Sequence, residues 1–265
     1  MVFINLYKPP VVSSPLAENE LYGPEPHDVN FVYPLTPESL ETERIRLTPF
    51  VPRVHMEATW EVLSTEGHEL FRYFRFINQT PEVFLTWHER SIRQDPQHII
   101  FVVIDKTFQD EARPEFGGSL AGLIALFGTS VEQLTTEIAF VVTFPAFQRS
   151  HVAANAVGVL MKYCLEVPSA TVPGLGLRRV KWHCHPKNLR SKGFAEKMGF
   201  HYEGILRWHC LLSEFFLRDG EPVWRKDDPP GAKNPGRHTV TLSVCWDDWE
   251  SGVRENVQKQ IDRKV

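Results

Sequence analysis

The stretch "WHCHPKNLRSKGFAEKMGF", Trp182 to Phe200, places His183, Cys184 and His185 side by side just before a predicted helix, and all three side chains can ligate zinc. Ligands that close around one ion must converge, and the usual zinc signatures pair Cys or His a few residues apart on two separated elements. Here the three candidates are adjacent, and the sequence holds no second Cys/His cluster. The preceding "LRRVKW" alternates apolar and basic residues, the period-two signal of a half-buried strand. Such a strand sets Cys184 on the face of Val180 and Trp182, with Lys181, His183 and His185 on the opposite face. Cys184 then reads as a small buried residue with the His pair on the other face, and no metal is expected.

Two junctions offer other chemistry. A strand ending near Thr143 runs through "FPAFQRSHVAANA" into a helix, and a helix N-terminus presents unpaired backbone N–H groups to a nearby anion such as a pyrophosphate. A plain connection is the alternative there. At the second junction Asn188 and Ser191 occupy the N-cap and first turn of the next helix, where each side chain either caps the helix or reaches a ligand.

These junctions must be positioned by a long order of elements. "LETERIRLTPF" alternates as a short strand, and "RVHMEATWEVLS" sets Val54, Ala58 and Val62 at helical spacing. A second helix begins with Thr80 as N-cap and Pro81 at its first position. "HIIFVVID", "GSLAGLIALFG" and "LTTEIAFVVT" are strands separated by turn-prone segments, which predicts an antiparallel meander. The helix "SHVAANAVGVLMKYCLE", the strand through Trp182, a helix from Asn188 to Met198 stopped by Gly199, and the strand "FHYEGILRWHCLL" follow. Before residue 40 the chain is Pro-rich and lacks periodicity, so residues 1–40 read as an extended arm; Phe3, Leu6, Tyr7, Phe31 and Tyr33 favour docking over a free tail.

Composition sets outer bounds. The 265 residues are 42% hydrophobic, enough to bury a full core, and the net charge of −4 comes with no Lys/Arg block suited to nucleic acid or an anionic membrane. The N-terminal apolar run is too short for a signal peptide or a spanning helix, and four scattered cysteines imply no disulfide framework. A cytoplasmic location is the expectation.

Four segments, "LETERIRL", "EIAFVVTFPAFQRSHVAANAV", "RRVKWHCHPKNLRSKGFAEKMGFHYEGILR" and "RHTVTLSVCWDDWE", together resemble the GNAT acetyltransferase superfamily in its RimJ/RimL-like branch. The resemblance covers residues from about 40 to about 250. It implies an α/β fold: a mixed, mostly antiparallel seven-stranded sheet splayed between its fourth and fifth strands and flanked by helices, with acetyl-CoA as cosubstrate in the cleft. By the same resemblance Gln148, Arg149, Ser150, His151, Val152 and Ala153 occupy the family's phosphate-binding turn, whose glycines let the backbone approach the pyrophosphate. Both glycines are missing; His151 stands at the central one, so its side chain must point away from the phosphates or hydrogen-bond them. The backbone at Val141 and Val142 resembles the strand that pairs with pantetheine, Asn188 and Ser191 keep the family's N-x-x-S near the sulfur end, and by this resemblance "WHCHPKN" is the fifth strand leading to that Asn, its His/Cys cluster incidental.

In such a reaction an amine attacks the thioester directly, and amines with pKa values of about 8 to 10.4 are mostly protonated at neutral pH, so a base is useful. Glu137 resembles a family glutamate and lies by alternation opposite Ile138, Phe140 and Val142; it is the candidate base, acting directly or through water. Many family members protonate the departing thiolate with a Tyr, but the aligned residue is Ala195, and Ser191 is the substitute. Phe74 and Phe76 are expected on the acceptor wall, and Arg207 and His209, sharing a face by alternation, could meet an anionic acceptor. The segment 213–237 is an insertion longer than a hairpin needs. Trp249, Val253, Val257 and Ile261 mark a C-terminal amphipathic helix (251–265) that docks on this domain or on a second subunit, giving a possible homodimer. The acceptor is a small-molecule amine or a peptide or protein N-terminus. The alternative is a catalytically inactive domain of this fold that binds a partner or a metabolite, motivated by His151 and Ala195.

Overall fold

A computed structural model describes residues 3–8, 15–74, 80–212 and 235–264, so Phe76 and residues 213–234 of the insertion lie outside the described residues. Seven strands, β1 (Ile45–Pro49), β2 (Ile99–Asp105), β3 (Ser119–Ser130), β4 (Thr135–Thr143), β5 (Arg179–Cys184), β6 (His201–Leu211) and β7 (Gly236–Cys245), form one sheet in the order β1-β2-β3-β4-β5-β7-β6. The first four make the expected antiparallel meander, β4 and β5 are parallel, and β7 inserts antiparallel between β5 and β6. Ladder pairing between β4 and β5 covers only Thr135–Glu137 against Arg179–Lys181, after which the strands part. The expected splay between the fourth and fifth strands is therefore present.

Helices cover both faces, which is why every residue of β2 is buried. On one face α3 (Val152–Leu165), α4 (Leu189–Met198) and α6 (Arg254–Asp262) pack on Ile138, Val180 and Trp182. On the other, α1 (Pro52–Leu70) and α2 (Pro81–His88) pack on Ile100, Val102, Leu123 and Phe140. A short α5 (Trp246–Asp248) and an irregular turn lead from β7 into α6. The amphipathic C-terminal helix docks on its own chain: Val257 and Ile261 are buried against α3, so closely that a Cβ on Gly158 would lie 2.8 Å from Ile261 Cδ1. Arg254 pairs with Glu166 at 2.9 Å beside that contact.

The N-terminal arm is docked from residue 15 onward. The Leu16 N–H donates to Thr86 Oγ1 at 3.1 Å, Asn30 Nδ2 to the Arg93 carbonyl at 2.8 Å, and Tyr163 Oη to the Pro34 carbonyl at 2.7 Å. Phe31 and Tyr33 pack on the core as expected. Phe3, Leu6 and Tyr7 do not; they are 90%, 80% and 74% exposed, and among the described residues the hydrogen bonds that seat the arm begin at Leu16.

Two local departures from strict periodicity matter. In α1 the buried stripe is His55, Thr59, Leu63 and Gly67 together with Met56 and Ala58, while Val54 is 49% exposed. Val54, Ala58 and Val62 were the expected stripe; instead His55 is drawn inside, where its Nδ1 accepts the Val51 N–H at 2.9 Å and so satisfies a group at the helix start. In β4, Phe140 has φ +52°, and the register passes from Ala125↔Ala139 to Leu123↔Val142, leaving Ile124 alone on β3 opposite Phe140 and Val141 on β4. This bulge reverses the alternation. Ile138 faces α3, but Phe140 and Val142 face α1 and α2, on the side of Glu137, so the expectation that Glu137 opposes all three holds for Ile138 alone. Gly122 makes the bulge possible, since a Cβ there would lie 2.1 Å from the Val142 carbonyl oxygen.

Gly122→Ala is expected to lower stability by about 1–3 kcal/mol through overpacking against β4, read as a fall in melting temperature. A second expectation concerns acid. Burial pushes His55 down to about 4 and His88 to about 3, from an ordinary 6.5. Between 6.5 and these values the unfolded chain binds more protons than the folded one, so the stabilisation is complete above pH 6.5 and is lost as pH falls. Urea unfolding should show a lower midpoint at pH 5 than at pH 7.5, with a smaller difference in His88→Leu.

Candidate active site

The site begins where the β4–β5 ladder ends. Among the described residues, beyond Glu137 and Lys181 β4 is held only by β3 and β5 only by β7, so the edge of β4 facing β5, past Val141 and Val142, has no ladder partner there. Val142 is buried toward α1 and α2, and Val141 packs partly toward α3; what both offer the gap is backbone.

After β4 a single helical turn, Pro145–Phe147, feeds Gln148 to Ala153 into α3. Arg149 takes the left-handed conformation, φ +61°, at a cost of roughly 1–2 kcal/mol for a residue with a Cβ. His151 has φ −70° and ψ −20°, ordinary helical values, so its position needs no glycine here. Its Nε2 lies 3.2 Å from Oδ1 of the fully buried Asp105 at the end of β2, which directs the ring back into the fold. Gln148 Nε2 donates to the Thr143 carbonyl at 3.1 Å. Ser150 Oγ donates to the Phe147 carbonyl at 2.6 Å and accepts from the Val152 N–H at 3.2 Å. With the Ser150 and His151 side chains turned inward, the turn presents the positive end of α3 and the exposed Gln148 and Arg149.

Across the gap, Asn188 Oδ1 accepts the Ser191 N–H at 3.1 Å, which makes Asn188 the N-cap of α4, and Gly199 with φ +103° ends that helix. Ser191 Oγ accepts from Trp182 Nε1 at 3.0 Å and lies beside the Cys184 thiol. Burial pushes the Cys184 thiol up, partly opposed by that hydroxyl. Ser191 therefore lies on the Trp182 and Cys184 face of β5, opposite His183, and the fully buried Ala195 offers no hydroxyl of its own.

At the closed end of the gap Glu137 Oε2 lies 2.7 Å from His183 Nδ1. Both side chains are partly open, 21% exposed for Glu137 and 18% for His183. The His183 ring is 5.6 Å from that of His209, whose Nδ1 is 3.0 Å from Thr239 Oγ1 on β7. On the far side of Glu137, His98 Nδ1 accepts the Gly128 N–H at 3.1 Å; burial keeps His98 below its ordinary pKa, against the carboxylates of Asp95 and Glu137. Sequence reasoning set His183 aside as incidental. Its contact with Glu137 is across 46 residues and follows from one fact, that Glu137 pairs with Lys181 and His183 is the next residue along the same face.

The surrounding wall is aromatic. Phe74 meets Phe140 edge to face at 5.3 Å, Trp87 lies 5.3 Å from Phe140, and Tyr73 lies 5.5 Å from His185. Trp87 was not singled out from sequence, and Phe140 was expected on the face opposite Glu137; the bulge at Phe140 is what turns them together. Arg207 is exposed, and the alternation expected to align it with His209 does not hold, because β6 bulges between Leu206 and Cys210 with Trp208 at φ +52°.

Comparison with known proteins places this geometry. The family model described as "Acetyltransferase (GNAT) domain" matches residues 44–201. A GCN5-related N-acetyltransferase from Brucella melitensis is similar at 24% identity and TM-score 0.62, over 83% of each chain. Mycobacterium smegmatis RimJ, solved with CoA-disulfide, is similar at 14% identity and TM-score 0.57, over 81% of this chain and 88% of that one. Spermidine N-acetyltransferase from Vibrio cholerae, solved with CoA and spermine, is similar at 13% identity and TM-score 0.55, over 79% of this chain and 99% of that one. No curated protein matches the sequence. The structural likenesses carry the fold, and with the family match over more than half of its length the chain belongs to the GNAT acetyltransferases.

Proposed function

We propose that the protein is an acetyl-CoA-dependent N-acetyltransferase that transfers the acetyl group to an amine by direct attack. The observation that carries this reading is the gap itself: the unpartnered edge of β4 ends at one side in the N-terminus of α3 and at its closed end in the Glu137 carboxylate. An acyl-CoA requires an anion site for its pyrophosphate and a polar edge for its pantetheine amides, and the residues present fit both. The N–H groups and cationic Arg149 of the 148–153 turn suit the pyrophosphate. The backbone at Val141 and Val142 suits the pantetheine, and Asn188 and Ser191 suit its sulfur end. Acetyl-CoA supplies the activated thioester; the chain positions it and manages the proton of the attacking amine.

Glu137 is assigned to that proton, removing it directly or through water. The amine is carried by a small molecule or by the end of a peptide or protein, with Phe74 on the wall it approaches. The similarity to enzymes whose names specify spermidine, or a ribosomal-protein serine in a Vibrio cholerae protein at 16% identity, supports an amine acceptor without choosing between these kinds. Among the described residues no helix is long and apolar enough to cross a membrane.

Calorimetric titration with acetyl-CoA should show saturable binding, and Arg149→Ala should weaken it about tenfold, the scale of one hydrogen bond to a charged group. Glu137→Gln should slow turnover and leave acetyl-CoA affinity unchanged. Absence of binding would end the transferase reading in favour of a binding-only domain.

A further inference from the structure

We propose that His183 is the group that takes the proton from the acceptor amine, and that Glu137 is the positioning residue behind it; this rests on the acetyl-transfer reading above. An ionised carboxylate can only accept, so at 2.7 Å from Glu137 Oε2 the His183 Nδ1 carries the ring proton. In the neutral ring this places the lone pair on Nε2, which has no hydrogen bond among the described residues. Burial of the pair is partial, so a substrate can reach the ring while solvent competes only weakly.

The neighbours of the pair are otherwise engaged. Glu203, on β6, is held by Arg179 at 2.5 and 2.7 Å and accepts from Ser243 Oγ at 2.7 Å. His209 is held by Thr239 on β7, and His98, at the start of β2, by Gly128. Glu137 is the carboxylate bonded to His183, and the charge that forms when the ring takes a proton meets Glu137 at bonding distance. The face is the acceptor side rather than the α3 side: Phe127, paired with Glu137, belongs to the cluster under α1 and α2, and His185, just past the end of β5, sets its ring against Tyr73 before α2.

The step balances as follows. The ammonium N–H bond breaks and its proton passes to His183 Nε2. The freed nitrogen pair forms the N–C bond to the thioester carbonyl, whose π pair moves to oxygen. Collapse of that intermediate breaks the C–S bond and releases the thiolate, the second nitrogen proton passes to sulfur, and His183 returns its proton to solvent.

The test uses the full chain, acetyl-CoA, and three primary amines, spermine, 2-phenylethylamine and a short peptide, with kinetics on whichever turns over fastest. His183→Ala should lower kcat roughly a hundredfold, the low end of general-base effects, with acetyl-CoA affinity by calorimetry unchanged and with rate partly restored by added imidazole. Its kcat/KM should lose the histidine limb of the pH profile. Glu137→Gln keeps an acceptor for Nδ1 and should lose less. Nitrogen-15 spectra of the histidine rings give a readout independent of turnover: His183 should be protonated at Nδ1 and bare at Nε2. A ring protonated at Nε2 overturns the proposal. So does a His183→Ala enzyme at wild-type rate while Glu137→Gln is slow, which would return the role to Glu137 and water. Loss of acetyl-CoA binding by the unaltered protein would instead remove the acetyl-transfer reading, and this assignment with it.

Discussion

The ladder between β4 and β5 stops after three residue pairs, and the rest of the molecule is arranged around that break. A parallel pair normally continues until one strand ends, because each unpaired backbone group buried beside its neighbour is costly. Here β4 takes an extra residue at Phe140, which is in the left-handed region, and swings away from β5. The swing needs β3 to come close, and Gly122 allows it by presenting no Cβ to the Val142 carbonyl. Both strands remain anchored on their other sides, β4 by β3 and β5 by β7, so the gap is held open by two complete ladders rather than by loops.

From that gap the other features follow. The C-terminal ends of β4 and β5 diverge toward the N-termini of α3 and α4, which brings two positive helix ends near one opening. The same bulge sends Phe140 and Val142 to the α1 and α2 side, where Phe74 and Trp87 meet Phe140 and form the wall around Glu137. One backbone irregularity thus sets both the free strand edge and the aromatic surface next to it.

The histidines show how surroundings, not residue type, assign a role. His55 and His88 are deep enough to stay neutral well below ordinary histidine pH and serve packing and capping. His151 is tied to the buried Asp105, which lets a bulky residue stand in a turn where small ones are usual. His183 combines partial exposure with a carboxylate hydrogen-bonded at Nδ1, the arrangement proposed above for proton exchange.

Much of the frame was legible in the chain. The meander, the Thr80–Pro81 helix start, the Asn188 cap, the Gly199 stop and the burial of Cys184 each depend on neighbours within a turn or a strand, and local periodicity and capping chemistry fix them. The sequence by itself also determined the family, through segments whose order and spacing match it. What it left open was set by contacts between distant residues. Alternation read along β4 put Phe140 and Val142 on the wrong face, since a bulge is decided by the partner strand. His183 looked like a bystander beside Cys184 because its partner lies 46 residues earlier, and only the parallel register of β4 on β5 brings the two side chains to 2.7 Å. Local patterns encode which face a residue takes; tertiary register decides whom it meets there.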